Sequence, residues 1–219
     1  MAQKIKIAFF DIDGTLQKGP SSWEILHIVN NTWETLGTKY LERYVNKEIS
    51  FEKFAALDVA AWKGMSEKVF NNTLKKIPIF KEVPLVFKYL QDHGVKIYII
   101  SSGISRYADY LCRKFKLDAY IANDVHVKDG KLTGKIKINV PYTSKGEHLK
   151  DMLGMNGLRA CNALAIGDGE GDIPMFNEVH HPIYFSPKNK KMQNYDKYSA
   201  STWIEILNYI QKIFNTMDC

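Results

Sequence analysis

Phe9-Phe10-Asp11-Ile12-Asp13-Gly14-Thr15-Leu16 is the stretch whose reading decides the fold. It follows Lys4-Ile5-Lys6-Ile7-Ala8, where Ile5, Ile7 and Phe9 alternate with Lys4, Lys6 and Ala8. That alternation, with β-branched and aromatic side chains, predicts a short strand. The strand runs into two carboxylates, a glycine and a threonine. Residues i and i+2 of an extended chain point to one side, so Asp11 and Asp13 face a common point unless the chain turns between them. Two carboxylates held close repel, and a cation or a shared proton is needed to keep them there. Gly14 permits a sharp exit. Taken alone, Asp-x-Asp-Gly-Thr is also a plain turn.

Downstream, the strand signals alternate with helical ones. Ser21 or Ser22 is placed to open a helix with Glu24 in its first turn, and helical spacing continues from Trp23 to about Tyr44. Further helices are expected after Ser50, with Phe51, Phe54, Ala55, Leu57 and Val59, and after Ser66, with Val69, Phe70 and Leu74. Residues 18–80 therefore read as an all-helical insert with no strand signal. Pro78 and Pro84 bracket the return to the main unit, residues 1–17 and 81–219. There a helix is expected over 81–94, a strand over 95–100 ending in Ser101-Ser102-Gly103, and a helix over 105–115. A short strand at 119–122 follows, then a hairpin of 125–127 and 131–140 about Asp129-Gly130. Ser144 is expected to cap a helix to about Met155. A buried strand at 163–166 ends in Gly167-Asp168-Gly169-Glu170-Gly171-Asp172, and a last strand at 183–185 precedes a closing helix at 202–214. This alternation implies an α/β fold with a parallel sheet and ligands outside the carboxyl ends of its strands.

Composition narrows the class. The 219 residues suffice for one large domain or a domain with an insertion. Apolar content of 45% and charged content of 25% are those of an ordinary soluble globular protein. The formal net charge is +6, but the lysines are scattered, which argues against a nucleic-acid partner and allows mild steering of anions. Cys112, Cys161 and Cys219 are odd in number and far apart. They suggest neither zinc site nor disulfide framework, and fit a reducing cytosol. The opening apolar run is too short for a signal peptide core, and no stretch has the length of a membrane span. Nothing in the sequence sets an oligomeric state.

Three strand ends thus carry polar groups: Asp11/Asp13, Ser101/Ser102 and Asp168/Asp172. Asp11, Asp13 and Asp168 would make a hard oxygen site of the kind magnesium takes with few carboxylates, waters and phosphate oxygens. Asp11 ends the strand most rigidly and is the better candidate for a nucleophile that forms an aspartyl-phosphate. Asp13 can then protonate the leaving oxygen and later activate water. Ser101 or Ser102, with amides near Gly103, can hold phosphate oxygens, and Lys145 can bring positive charge to the phosphoryl group and Asp11. Phosphate monoester hydrolysis needs accelerations of up to ~10²¹, which a bare acidic turn does not supply.

The block Asp11-Ile12-Asp13-Gly14-Thr15, Ser101 after its apolar strand, Lys145, and Gly167 to Asp172 resemble, in order, the four motifs of the haloacid dehalogenase-like hydrolases. Val125 to Gly134 and Ser144-Lys145-Gly146-Glu147 resemble the phosphoserine-phosphatase-type branch. The resemblance implies a Rossmann-like parallel sheet flanked by helices, with residues 18–80 as an inserted helical cap. It implies Asp11 as nucleophile and Asp13 as acid/base. Magnesium would be held by Asp11, the carbonyl of Asp13, and Asp168, with Asp172 supporting. Ser101 and Lys145 would bind phosphate. Dehalogenating relatives lack an aspartate like Asp13. The branch's substrate-clamping glutamate aligns with Pro20, near Glu24, and its cap arginine with Asp58. Its fourth motif usually has Asn where Gly171 stands. The expectation is therefore a magnesium-dependent phosphatase for a small phosphorylated metabolite other than phosphoserine. A phosphotransferase or mutase using the same aspartyl-phosphate is the alternative, and a binding module without chemistry a third reading.

Other candidates have plainer readings. His180-His181 reads as a loop before Pro182 rather than a metal site, because adjacent side chains diverge. His27, His93, His126 and His148 read as ordinary surface or helix residues. Trp23, Trp33 and Trp62, with the tyrosines of residues 18–80, read as core rather than a ligand cage, with Trp23 and Glu24 close enough to the expected hinge to meet substrate. Cys112 and Cys161 read as buried hydrophobes.

Overall fold

The structure is a computed structural model that describes residues 5–185 and 198–216; Cys219 lies outside them. Its centre is β1 (Ile7–Phe10), parallel to β2 (Lys96–Ile104) on one side and β5 (Ala163–Gly167) on the other. Beyond β2 lie β3 (Ala119–Lys128) and β4 (Lys131–Lys137); beyond β5 lie β6 (His181–Phe185) and β7 (Tyr198–Ala200). The seven strands are parallel except the β3–β4 pair, as crossover helices require.

Both faces of β1 are buried. Ile7 and Phe9 pack with Leu149 and Leu153 of α7 (Lys145–Met155) and with Met175 and Phe176 of α8 (Ile173–Phe176). Ala8 and Phe10 belong to the opposite core, with Phe87 of α5 (Val83–Asp92) and Trp203 of α9 (Trp203–Thr216). Phe10 meets Phe87 edge-on at 5.1 Å. Burying each such ring contributes roughly 2–3 kcal/mol, enough to hold the strand end where Asp11 begins. Tyr107 and Leu111 of α6 (Ser105–Phe115) complete this second layer.

Residues 22–75 are helical: α1 (Ser22–Val29), α2 (Thr38–Val45), α3 (Phe51–Ala61) and α4 (Glu67–Lys75). Ser21, Ser50 and Ser66 accept from the amides of Glu24, Lys53 and Val69 and so cap α1, α3 and α4. The single helix expected over 23–44 is broken. Asn31 takes φ 55°, Asn30 donates to the Ala61 carbonyl at 2.8 Å, and a wide turn over Trp33–Gly37 intervenes. Asparagine tolerates this left-handed backbone where the apolar spacing gives no warning. The two connecting segments run side by side, with Lys18 N donating to Pro78 O at 2.8 Å and Phe80 N to Leu16 O at 3.1 Å.

The hairpin forms where expected, with Asp129 (φ 51°) and Gly130 (φ 70°) both left-handed. Its first strand is continuous: 119–128 is one β3, and β2 likewise runs on to Ile104. β4 stops at Lys137 because the Asn139 and Val140 amides turn to Asn123 Oδ1, each at 2.8 Å. The hairpin tip also binds the helical segment. Gly64 N donates to Leu132 O, Leu132 N to Met65 O and Glu67 N to Gly130 O, at 2.8–2.9 Å. Ser144 makes no side-chain cap on α7; its hydroxyl donates to Pro141 O at 3.0 Å. His181 begins β6 rather than lying in a loop, and β7 was not foreseen.

His27 departs most from its reading. It is fully buried, with Nε2 3.0 Å from Asp58 Oδ1 and Nδ1 2.8 Å from Thr32 Oγ1. Its ring meets Trp62 edge-on at 5.3 Å. Burial raises the Asp58 carboxyl, and His27 draws it back down. Removing one partner strands the other away from water. His27→Ala is expected to lower the unfolding free energy by about 3 kcal/mol, measured by urea denaturation; a change below about 1 kcal/mol would contradict this.

Candidate active site

The carboxyl ends of β1, β2 and β5 open onto one cavity of about 220 Å³. Asp11 follows the last residue of β1, and its amide donates to Ile166 O of β5 at 3.0 Å, so its position is tied to the sheet. Asp168 and Asp172 follow β5. Carboxylate oxygens of Asp11, Asp168 and Asp172 lie within 4.8 Å of one another.

The chain does turn between the two aspartates of the first motif, because Asp11 is extended (ψ 169°) and a helical turn begins at Ile12. Gly14 takes φ 87°, and a side chain there would collide with the Asp168 carboxylate. Thr15 Oγ1 then donates to Asp168 Oδ1 at 3.0 Å. The Asp13 carboxylate is held apart from the three-acid cluster: Ser22 N donates to Oδ1 at 2.7 Å and Ser22 Oγ to Oδ2 at 2.9 Å. Asp13 still lines the cavity.

Lys145, at the start of α7, donates to Asp11 Oδ1 at 2.7 Å and Asp172 Oδ1 at 2.6 Å. It is buried, and the two carboxylates keep it protonated against the cost of burial. The other oxygen of Asp172 accepts from the amides of Asp168 (2.9 Å) and Gly169 (3.0 Å). Asp172 thus orders the β5 turn and the lysine at once. Ser101 Oγ accepts from Gly103 N at 3.1 Å, which leaves its proton free to donate. Ser102 Oγ is buried without a hydrogen-bond partner among the described residues, on the same cavity.

One lysine does not balance this many acids. Burial, with the neighbouring carboxylates, raises Asp11 to about 7 despite Lys145, and Asp168 to about 8. Burial also raises Asp13, opposed by its Ser22 bonds. A set of oxygen donors that keeps protons near neutrality fits a hard divalent cation, which would replace them.

The structure brings together the residues named at the three strand ends and Lys145: Asp11, Asp13, Ser101, Ser102, Lys145, Asp168 and Asp172 all line the cavity. Sequence reasoning also kept Trp23, which lines the cavity, and Glu24, which does not. It missed four rings. Tyr44, Phe51 and Phe54 of the helical segment and Tyr142 of the loop before α7 all face the same space. Phe51 and Phe54 carry the spacing of core residues, so nothing marked them. Tyr142, three residues before Lys145, was the available signal.

A family model described as haloacid dehalogenase-like hydrolase matches residues 8–177. The chain belongs to that family. Within it, the relatives and solved structures place the chain in the phosphoserine-phosphatase-like branch. The phosphoserine phosphatase of Methanocaldococcus jannaschii is 28% identical over 189 residues, covering 86% of this chain and 89% of that protein. The phosphoserine phosphatase of Haemophilus influenzae is 31% identical over 150 residues, 68% of this chain, and the match spans only 48% of that protein's length. A solved phospho-aspartyl intermediate analogue of phosphoserine phosphatase has a TM-score of 0.83 at 26% identity, covering 94% of this chain and 99% of that one. A haloacid dehalogenase family hydrolase from Salmonella enterica serovar Typhi has a TM-score of 0.88 at 19% identity, covering 95% of this chain and 72% of that one, a likeness of fold alone.

The raised carboxyls have a thermodynamic consequence. From the ordinary value of 3.8 up to about 7–8, Asp11 and Asp168 hold protons in the folded chain that the unfolded chain releases. Stability of the metal-free protein therefore falls as pH rises through that window. A divalent cation favours the ionised form, so its stabilising effect grows over the same window. Thermal unfolding at pH 5, 6.5 and 8, with and without millimolar magnesium, is expected to show both trends; a magnesium shift independent of pH would contradict this.

Proposed function

We propose that this phosphomonoesterase-type hydrolase cleaves a small phosphate monoester through an aspartyl-phosphate on Asp11, with magnesium, and that phosphoserine is not its preferred substrate. The observation that carries the reading is Lys145 bridging Asp11 and Asp172 beside Asp168, at the end of a central parallel strand and on a cavity walled by the helical segment.

In this reading Lys145 fixes Oδ1 of Asp11, and the other carboxylate oxygen attacks phosphorus. Asp13, raised by burial and oriented by Ser22, gives its proton to the departing alkoxide. It then takes a proton from the water that attacks the aspartyl-phosphate, which releases phosphate and restores Asp11. Ser101 and Ser102 donate to the phosphoryl oxygens. Magnesium, held by Asp11, Asp168 and the Asp13 carbonyl with Asp172 in support, would supply positive charge against those oxygens. Residues 18–80 would act as a cap that excludes bulk water. The Asp13–Ser22 bonds support that role, because the acid/base would be in place only with the segment seated.

The rejection of phosphoserine rests on the cavity wall. Asp58, which aligns with the relatives' cap arginine, is buried against His27 and does not line the cavity, and Pro20 is exposed. The branch's amino-acid clamp therefore has no counterpart at either position. Two buried free thiols, Cys112 and Cys161, support a reducing cytosolic setting. Among the described residues no helix is long and apolar enough to cross a membrane.

With magnesium, the protein is expected to release p-nitrophenol from p-nitrophenyl phosphate. Asp11→Asn should lose at least ~10³-fold in kcat and Asp13→Asn ~10²-fold or more. Chelation should abolish turnover and magnesium restore it. Turnover no greater than that of Asp11→Asn would overturn the reading. Phosphate delivered to an added alcohol instead of water would favour the transferase alternative.

A further inference from the structure

Away from its carboxylates, serines and lysine, the cavity is walled by rings. Trp23, Tyr44, Phe51 and Phe54 come from the helical segment, and Tyr142 comes from the opposite side. They form one connected wall. Trp23 meets Phe51 at 6.5 Å, Phe51 meets Tyr142 at 6.0 Å, and Tyr44 meets Tyr142 edge-on at 6.0 Å. Tyr44 and Phe54 stack at 5.0 Å with planes 10° apart.

The charged groups lining the cavity are already engaged. Lys145 is held by Asp11 and Asp172. Asp13 is held by Ser22, Asp168 accepts from Thr15, and Asp172 accepts from two amides. An ammonium or carboxylate on the leaving group would lose its water and meet no unengaged opposite charge among the residues lining the cavity, which is unfavourable. A flat uncharged group meets the opposite situation, since it gains ring contacts and leaves no polar atom stranded.

The departure at Gly171 belongs to this wall. A Cβ there would lie 2.7 Å from Cε2 of Tyr142, so the ring lies directly on the glycine backbone. An asparagine at 171, as the branch usually has, would displace Tyr142. The unusual glycine and the unmarked tyrosine are thus one feature, and it sets a ring into the cavity wall beside the β5 turn.

We infer that the substrate is the phosphate ester of an uncharged aromatic alcohol whose ring lies against Phe51, Tyr44 and Tyr142. This rests on the phosphatase reading above and names the substrate class for that site. A quaternary ammonium group is the other partner of aromatic walls, and phosphocholine in the test below decides against it or for it.

The test compares kcat/KM for benzyl phosphate, ethyl phosphate, phosphoserine and phosphocholine, with magnesium present. Benzyl and ethyl phosphate have similar alkoxide leaving groups, so their ratio reads ring recognition rather than leaving-group chemistry. Benzyl phosphate is expected to exceed ethyl phosphate by ~10-fold and to exceed both charged esters. Phe51→Leu and Tyr142→Leu, which keep apolar bulk but remove the ring, should each lower the benzyl-to-ethyl ratio by about 3-fold or more. A ratio near unity, a preference for phosphoserine or phosphocholine, or an unchanged ratio in both variants would overturn the inference while leaving the phosphatase reading intact. If no ester is turned over faster than by Asp11→Asn, the phosphatase reading falls and this inference with it.

Discussion

A single ammonium group, that of Lys145, lies between two carboxylates, 2.7 Å from Asp11 and 2.6 Å from Asp172, with water excluded. Three acids from two strand ends meet there, and without a cation among them they could not all stay ionised. The lysine is insufficient by itself. Burial first, and then the neighbouring carboxylates, keep Asp11 and Asp168 raised to about 7 and 8. Such a pocket is receptive to a divalent ion. The packing beneath supports the same arrangement: Phe9 and Phe10 on opposite faces of β1 hold the strand end rigid, and α7 packs on Phe9's face with Lys145 at its first turn.

The helical segment is joined to the sheet by more than its two connecting strands of chain. Ser22, the first residue of α1, holds both oxygens of Asp13. On the far side, three backbone hydrogen bonds tie the segment to the β3–β4 hairpin. Movement of the segment would disturb Asp13 directly and would either carry the hairpin along or break those bonds. The same seating brings Phe51, Phe54 and Tyr44 over the carboxylates, so the orientation of the acid and the lining of the cavity come from one packing arrangement.

Much of this was legible from residue order. Alternating strand and helix signals point to a parallel sheet, and polar residues at three strand ends point to its carboxyl edge. The errors are local and physical. Asn30 and Asn31 interrupt an apolar spacing that otherwise runs on helically, because a left-handed residue leaves no mark on periodicity. Ser144 has the composition of a cap, yet its hydroxyl bonds backward to Pro141. His27 appears isolated in sequence and meets Asp58 only because α1 and α3 pack together.

The identities of Asp11, Asp13, Ser101, Ser102, Lys145, Asp168 and Asp172, their order, and the α/β class were determined by the sequence alone. Motif chemistry and hydrophobic period are properties of neighbouring residues. Tertiary structure decided which carboxylates cluster, since the i, i+2 rule lapses where a helical turn begins at Ile12 and Asp13 goes to Ser22 instead. It also decided what surrounds them. Tyr142 lies on Gly171 and faces Phe51 through contacts between distant segments, and pairings of that kind are set by packing, which no local pattern encodes.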